Sequence, residues 1–174
     1  MVIETERLLM RTFVENDIQN AFQYLSNKVT MYFIEEPYTM QQTVNFIRKY
    51  GISEQPYVYA LLEKESNMII GHIIFHPADY DEIYEIGCII DVKYQNRGYG
   101  YEILSSLIDY GFNYMKLHKI IAETIEGNTK CMKLLSKLQF RQEATMRQHN
   151  WDHGKWVDEY YYGLLNSDKC NRHL

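Results

Sequence analysis

The sequence predicts an α/β chain of the α+β kind, with one mixed, mostly antiparallel central sheet and helices on both of its faces. Three observations predict it. Strand-like and helix-like segments follow one another in the order β-α-α-β-β-β-α-β-α-β-β. A run of adjacent strands is followed by a β-α-β-α-β stretch, and the two together imply a mixed sheet. The 174 residues suit one domain with a real core, and no linker, repeat or low-complexity segment divides them.

Arg7 to Phe13 alternates and reads as a first strand. Glu15-Asn-Asp17 then begins a helix through about Leu25, with Ile18, Ala21, Phe22 and Leu25 on one face. Thr39-Met-Gln-Gln42 has the form of a capping box, and Gly51 is a plausible stop for the helix it opens. Tyr57 to Leu62 and Met68 to Phe75 read as a hairpin about Lys64 to Asn67. A further apolar strand spans 84–92, and a long amphipathic helix runs from about Tyr101 to Met115. Lys119 to Thr124 is a strand and Thr129 to Leu138 an amphipathic helix. Phe140 to Trp151 and Lys155 to Leu165 alternate and form a closing hairpin joined near Asp152-His-Gly154. The domain is expected to occupy 1–165, with 166–174 a polar, frayed tail.

Composition narrows the function classes. The longest apolar runs are a few residues, too short for a membrane span, and the N-terminus lacks the order of a signal peptide. A cytoplasmic protein is the expectation. Cys88, Cys131 and Cys170 are far apart and in no metal-ligand spacing, which fits reduced thiols and no metal. A net charge of −5 without a Lys/Arg cluster disfavours nucleic acid and weakly favours cationic partners such as amines.

The most informative stretch is Gln95-Asn96-Arg97-Gly98-Tyr99-Gly100, between the 84–92 strand and the long helix. Glycines there permit positive φ and close backbone approach. The first N–H groups of the helix, aided by its dipole, then face an anion lying in the turn. No Gly-Lys-Ser/Thr follows, so it is not a P-loop, and the third glycine of a dinucleotide fingerprint is missing. What remains, Gln95-x-x-Gly98-x-Gly100 after Val92, resembles the pyrophosphate-binding motif of the GNAT superfamily of acetyl-CoA-dependent N-acetyltransferases. Thr5-Glu6-Arg7-Leu8 with Arg11, Glu85-Ile86-Gly87, Asn128 to Phe140, and Gly154-Lys-Trp-x-Asp158 with Tyr162 and Leu165 are similar to its RimJ/RimL-type branch, at matching order and spacing.

The resemblance implies a GNAT fold, acetyl-CoA or CoA as co-substrate without a metal, and a primary amine as acceptor. That acceptor is either a peptide N-terminus or a small amine, and the protein a monomer or homodimer. It implies that Gln95, Asn96, Arg97, Gly98, Tyr99, Gly100 and Tyr101 hold the pyrophosphate, with the backbone of Arg97 favoured over its side chain. Main chain at Ile90 and Val92 would run beside the pantetheine arm, and Asn128 and Lys137 would complete the cofactor set. Asn128 is also a natural helix N-cap. Glu85 is the base candidate, or else a structural carboxylate, with Glu82, Tyr84 and His76 behind it. The Tyr acid of some family members is absent, since Leu135 holds its position; Cys131 is then a candidate proton donor or a space-filling residue. Gln139 replaces a glycine past a helix, and the left-handed conformation there would cost on the order of 1 kcal/mol. A reading of a different class is a CoA-binding sensor or scaffold without turnover.

Overall fold

The computed structural model describes residues 1–169. Cys170 and the rest of the tail lie outside the described residues. The chain divides into two compact units, Met1–His76 with Gly87–Ser106, and Pro77–Ile86 with Leu107 onward.

In the first unit, β1 (Ile3–Glu4) pairs antiparallel with β2 (Leu8–Arg11). β1 is not expected from the sequence, because two residues carry no periodicity to read. β2 alternates as expected, with Leu8 and Met10 wholly buried. Asp17 ends a 3-10 turn before α1 (Ile18–Leu25) and is itself buried. It accepts two hydrogen bonds from Arg11, at 2.6 and 3.0 Å, and one from the Val14 N–H at 2.8 Å. The capping box at Thr39 is formed: Thr39 Oγ1 accepts from the Gln42 N–H, and Gln42 Oε1 accepts from the Thr39 N–H. It opens α2 (Met40–Phe46), which continues as a π-helical turn over Ile47–Gly51. Gly51 is therefore not a left-handed stop. It is buried at the end of that turn, where a Cβ would sit 2.7 Å from the Phe13 ring. β3 (Val58–Glu63) and β4 (Met68–Pro77) form the expected hairpin. Ala21, Tyr24 and Leu25 of α1 and Ile47 pack with Val58, Ala60, Leu62, Ile69 and Ile89 as this unit's core.

β5 (Ile83–Ile90) contributes its second half to the first unit and its first half to the second. It stops before the expected 92, because the Asp91 side chain accepts from the Lys93 N–H and turns the chain into a 3-10 turn, Val92–Tyr94. α3 (Tyr99–Asn113) begins inside the glycine motif, earlier than expected.

In the second unit, β5 pairs parallel with β6 (Lys119–Ile125). α4 (Thr129–Lys137) is capped by Asn128, whose side chain accepts from the Cys131 N–H at 3.3 Å. Gln139 is left-handed at φ 69°. β7 (Arg141–Asp152) and β8 (Lys155–Leu165) form an antiparallel hairpin. His153 and Gly154 both have positive φ at its tip, which suits a two-residue turn between twisted strands. The start of the expected frayed tail is instead a short helix, α5 (Asn166–Lys169). The Asn166 N–H donates to the His118 carbonyl, and Asp168 pairs with Arg141, so this segment is tied down. The strands join one sheet in the order β1-β2-β3-β4-β5-β6-β8-β7.

Candidate active site

The first unit carries the anion cradle. Gln95 leaves the 3-10 turn in extended conformation, and its amide Nε2 donates to the Ile90 carbonyl at 2.9 Å. Asn96 at φ 62° and Gly98 at φ 82° are left-handed, and α3 then begins at Tyr99. Of the two motif glycines, only Gly98 uses the positive φ; Gly100 lies in the first helical turn. The first-turn N–H groups have no partner within the helix. A Cβ on Gly98 would meet only Arg7, at 3.6 Å, so the space in front of the turn is open.

The Tyr99 and Arg97 side chains are engaged by the protein. Tyr99 is buried, and its hydroxyl donates to Glu63 Oε1 at 2.6 Å. Glu63 also accepts from Ser66 and sits 3.5 Å from Arg97. The Tyr99 and Ser66 hydrogen bonds, with the Arg97 charge, hold its carboxyl below the ordinary range against the opposing effect of burial. Arg97 also donates to the Lys93 carbonyl and lies over the Tyr94 ring. Its side chain is thus held by the protein, and its carbonyl accepts from Arg7 Nη1 at 3.1 Å. Tyr101 is more than a third exposed.

Two expected backbone contacts are engaged internally. The Val92 N–H donates to the buried Thr30 hydroxyl at 3.1 Å, and Val92 lies beyond the strand. The Ile90 carbonyl accepts from Gln95. Thr30 carries no sequence signal for this role, since the contact spans 62 positions.

The second unit carries a carboxylate face. Glu85 lies opposite Ile121, Glu123 opposite Tyr161, and Glu159 opposite Ile125. Side chains alternate along a strand, so Glu85, Glu123, Glu159 and Tyr161 share one face. Burial, then the negative charges of Glu85 and Glu159, push the Glu123 carboxyl up. Burial and the same three carboxylates raise Tyr161. His149 Nε2 is 3.7 Å from Glu159. Glu123, Glu159 and Tyr161 escaped sequence reasoning because their grouping depends on register, although the alternation of each strand was legible.

Cys131 belongs to the other face. It lies beside Thr124, which alternates with Glu123. Burial pushes its thiol up, with Thr124 opposing. The structure therefore does not bring Glu85 and Cys131 to the same side of the sheet. Asn128 and Lys137 flank α4 at opposite ends, about 13 Å apart at 1.5 Å per residue. Asn128 serves as the cap, and Lys137 is exposed in the last turn. Among the runner-up bases, Glu82 is exposed and Tyr84 is raised, chiefly by burial. His76 stacks on Tyr57 with ring centroids 4.6 Å apart. His72 is structural: it is buried against the Tyr24 hydroxyl at 3.0 Å, and burial pushes it down to about 3.

A family model described as an acetyltransferase (GNAT) domain matches residues 7–141. The chain belongs to the GNAT acetyltransferases. The uncharacterized N-acetyltransferase YnaD of Bacillus subtilis strain 168 is 31% identical over 169 residues, covering 97% of this chain and 99% of that protein. The crystal structure of a GNAT-family acetyltransferase from Bacillus anthracis matches at TM-score 0.88 and 34% identity, covering 96% of this chain and 99% of that one. Spermidine N-acetyltransferase of Vibrio cholerae, solved with CoA and spermine, shares the fold at TM-score 0.82 and 20% identity, over 96% of this chain and 100% of that one. This GNAT chain is thus an N-acetyltransferase, and the reading as a sensor without turnover falls away. Among the described residues, no helix of this GNAT protein is long and apolar enough to cross a membrane.

Proposed function

We propose that this enzyme is a cytoplasmic, RimJ/RimL-type acetyltransferase that moves the acetyl group of acetyl-CoA to a primary amine on a polycationic small molecule. We read 1–165 as one catalytic domain. The observation that carries the donor side is the left-handed Gly98 immediately before α3, with the Tyr99 side chain engaged by Glu63 and the Arg97 side chain by the Lys93 carbonyl. The main chain of 95–101 and the helix dipole then hold the pyrophosphate. The main chain of β5 near Ile90 borders the pantetheine arm, whereas Val92 acts through its bond to Thr30 and fixes the strand end. Asn128 holds the N-terminus of α4, and Lys137 stands apart from it at the far end.

On the acceptor side, three carboxylates share one open sheet face. One positive charge needs one partner, so this face suits an amine with several charges, as the spermine complex of the Vibrio cholerae relative illustrates. Glu85 accepts the proton that the ammonium must lose before its nitrogen attacks the acetyl carbonyl carbon. Glu123 and Glu159 hold the remaining charges. The C–S bond then breaks, and the sulfur takes the proton that the nitrogen sheds on becoming an amide. Cys131, buried beside Thr124 on the opposite face, keeps its own proton and fills space there, without a part in the transfer. The test is a panel of polyamines, monoamines and N-terminal peptides with acetyl-CoA, read by free thiol release. Polyamines should give the highest kcat/KM. Preference for a peptide N-terminus would refute the polycation assignment.

A further inference from the structure

We propose that Thr5, Arg7 and Glu102 form a brace that holds the cradle in its anion-binding geometry, with Arg7 and Glu102 as positioning residues for the diphosphate end of the acetyl donor. The inference rests on the donor reading above. Four donors converge on one carboxylate. Thr5 Oγ1 reaches Glu102 Oε1 at 2.6 Å, and the Arg7 N–H reaches the same oxygen at 3.0 Å. Arg7 Nε and Nη2 reach Oε2 at 2.7 and 2.6 Å. The remaining Arg7 nitrogen, Nη1, donates to the Arg97 carbonyl at 3.1 Å. The guanidinium also lies over the buried Tyr99 ring, 4.6 Å from its centroid.

One guanidinium therefore grips the chain on both sides of Gly98. Its hold on the Arg97 carbonyl has a consequence for the next N–H. In a trans peptide the C=O of residue i and the N–H of residue i+1 lie in one plane and point opposite ways. Pulling the Arg97 oxygen toward Arg7 turns the Gly98 N–H away from Arg7. Glu102 receives the second grip in the first turn of α3, where its own N–H donates to the Gly98 carbonyl. A carboxylate there suits the helix dipole but competes with an anionic ligand for the same positive end. Arg7 offsets that charge.

An exposed ion pair contributes little to global stability, and the Arg7 side chain is 44% exposed. A readout confined to the diphosphate therefore separates the brace from a merely structural role. That readout is the KM for acetyl-CoA divided by the KM for S-acetylpantetheine, which lacks the diphosphate. Arg7→Gln should raise this ratio about tenfold, because it frees the Arg97 carbonyl and uncovers the Glu102 charge. Glu102→Gln should raise it less, since the competing anion leaves with the brace. The double variant should resemble Glu102→Gln more than the sum of the two singles. Arg7→Lys, which keeps the charge but has no second arm, should fall between wild type and Arg7→Gln. Arg48→Gln, which breaks the exposed pair with Glu15, should leave the ratio unchanged. An unchanged ratio in folded Arg7→Gln, or equal rises for both donors, would overturn the brace. If Arg7→Gln does not fold, Glu102→Gln is judged by the same ratio. Absence of any CoA-induced thermal shift in the wild type would instead sink the donor reading, and the brace with it.

Discussion

Gly98→Ala perturbs the cradle at the one motif glycine with a left-handed backbone. At φ 82° an L-residue is strained, and the new Cβ meets nothing closer than Arg7 Nη2 at 3.6 Å. The cost is therefore backbone strain without a clash, about 1–2 kcal/mol. In a chain of this size each kcal/mol corresponds to roughly 2–4 °C, so Tm should fall by about 2–8 °C. The same methyl occupies the space through which an anion must approach. Wild type at one hundred times its Kd for CoA should gain about 2.7 kcal/mol. That corresponds to roughly 5–11 °C. The variant should gain less than half of that at the same CoA concentration. The assay is thermal denaturation followed by circular dichroism, with and without CoA. A variant that loses its few degrees but keeps the full CoA increment would show that the anion does not bind at this turn.

Further outcomes follow from the same geometry. Glu85→Gln should lower kcat/KM by roughly 10²–10⁴-fold where the amine is protonated, with the defect shrinking toward the amine pKa near 10; a flat ratio to wild type across the pH profile would make Glu85 structural. Glu123→Gln should raise Tm at neutral pH and raise KM for polyamines, because the folded state holds that carboxyl above its unfolded value. A raised carboxyl contributes its full stability below the unfolded pKa and loses it as pH rises through the folded one. The gain in Tm should therefore vanish as pH falls below the carboxylate range, and a gain independent of pH would contradict burial and like-charge repulsion as its cause. Thr30→Val removes the acceptor of the Val92 N–H and should cost about 1–3 kcal/mol in urea unfolding, with Thr30→Ser near wild type. Equal losses in both variants would point to packing.

The parts legible in the sequence are local ones. The Thr39 box, the His153-Gly154 turn, the Asn128 cap and the left-handed Gln139 each depend on a few adjacent residues. So does the cradle, whose strand-glycine-helix order needs no tertiary information. Helix and strand ends shifted where side chains outside the pattern intervened, as Asp91 does in ending β5 and Phe13 does in demanding a glycine at position 51. The rest is non-local. The sequence points to Glu85 alone, because only the register of β5, β6 and β8 puts Glu123 and Glu159 on its face. The Thr5-Glu-Arg7 motif was visible without a role, since its partner Glu102 lies 95 positions beyond Arg7. The sequence offers Cys131 and Glu85 as acid and base, whereas strand alternation places them on opposite faces.

The decisive measurement is turnover of acetyl-CoA with spermidine by the wild-type protein, with free thiol and acetylated amine quantified together. Equal amounts of both products should form, at a rate that saturates in each substrate and falls as salt screens the carboxylate face. Tight CoA binding without thiol release toward any polyamine would contradict the polycation assignment.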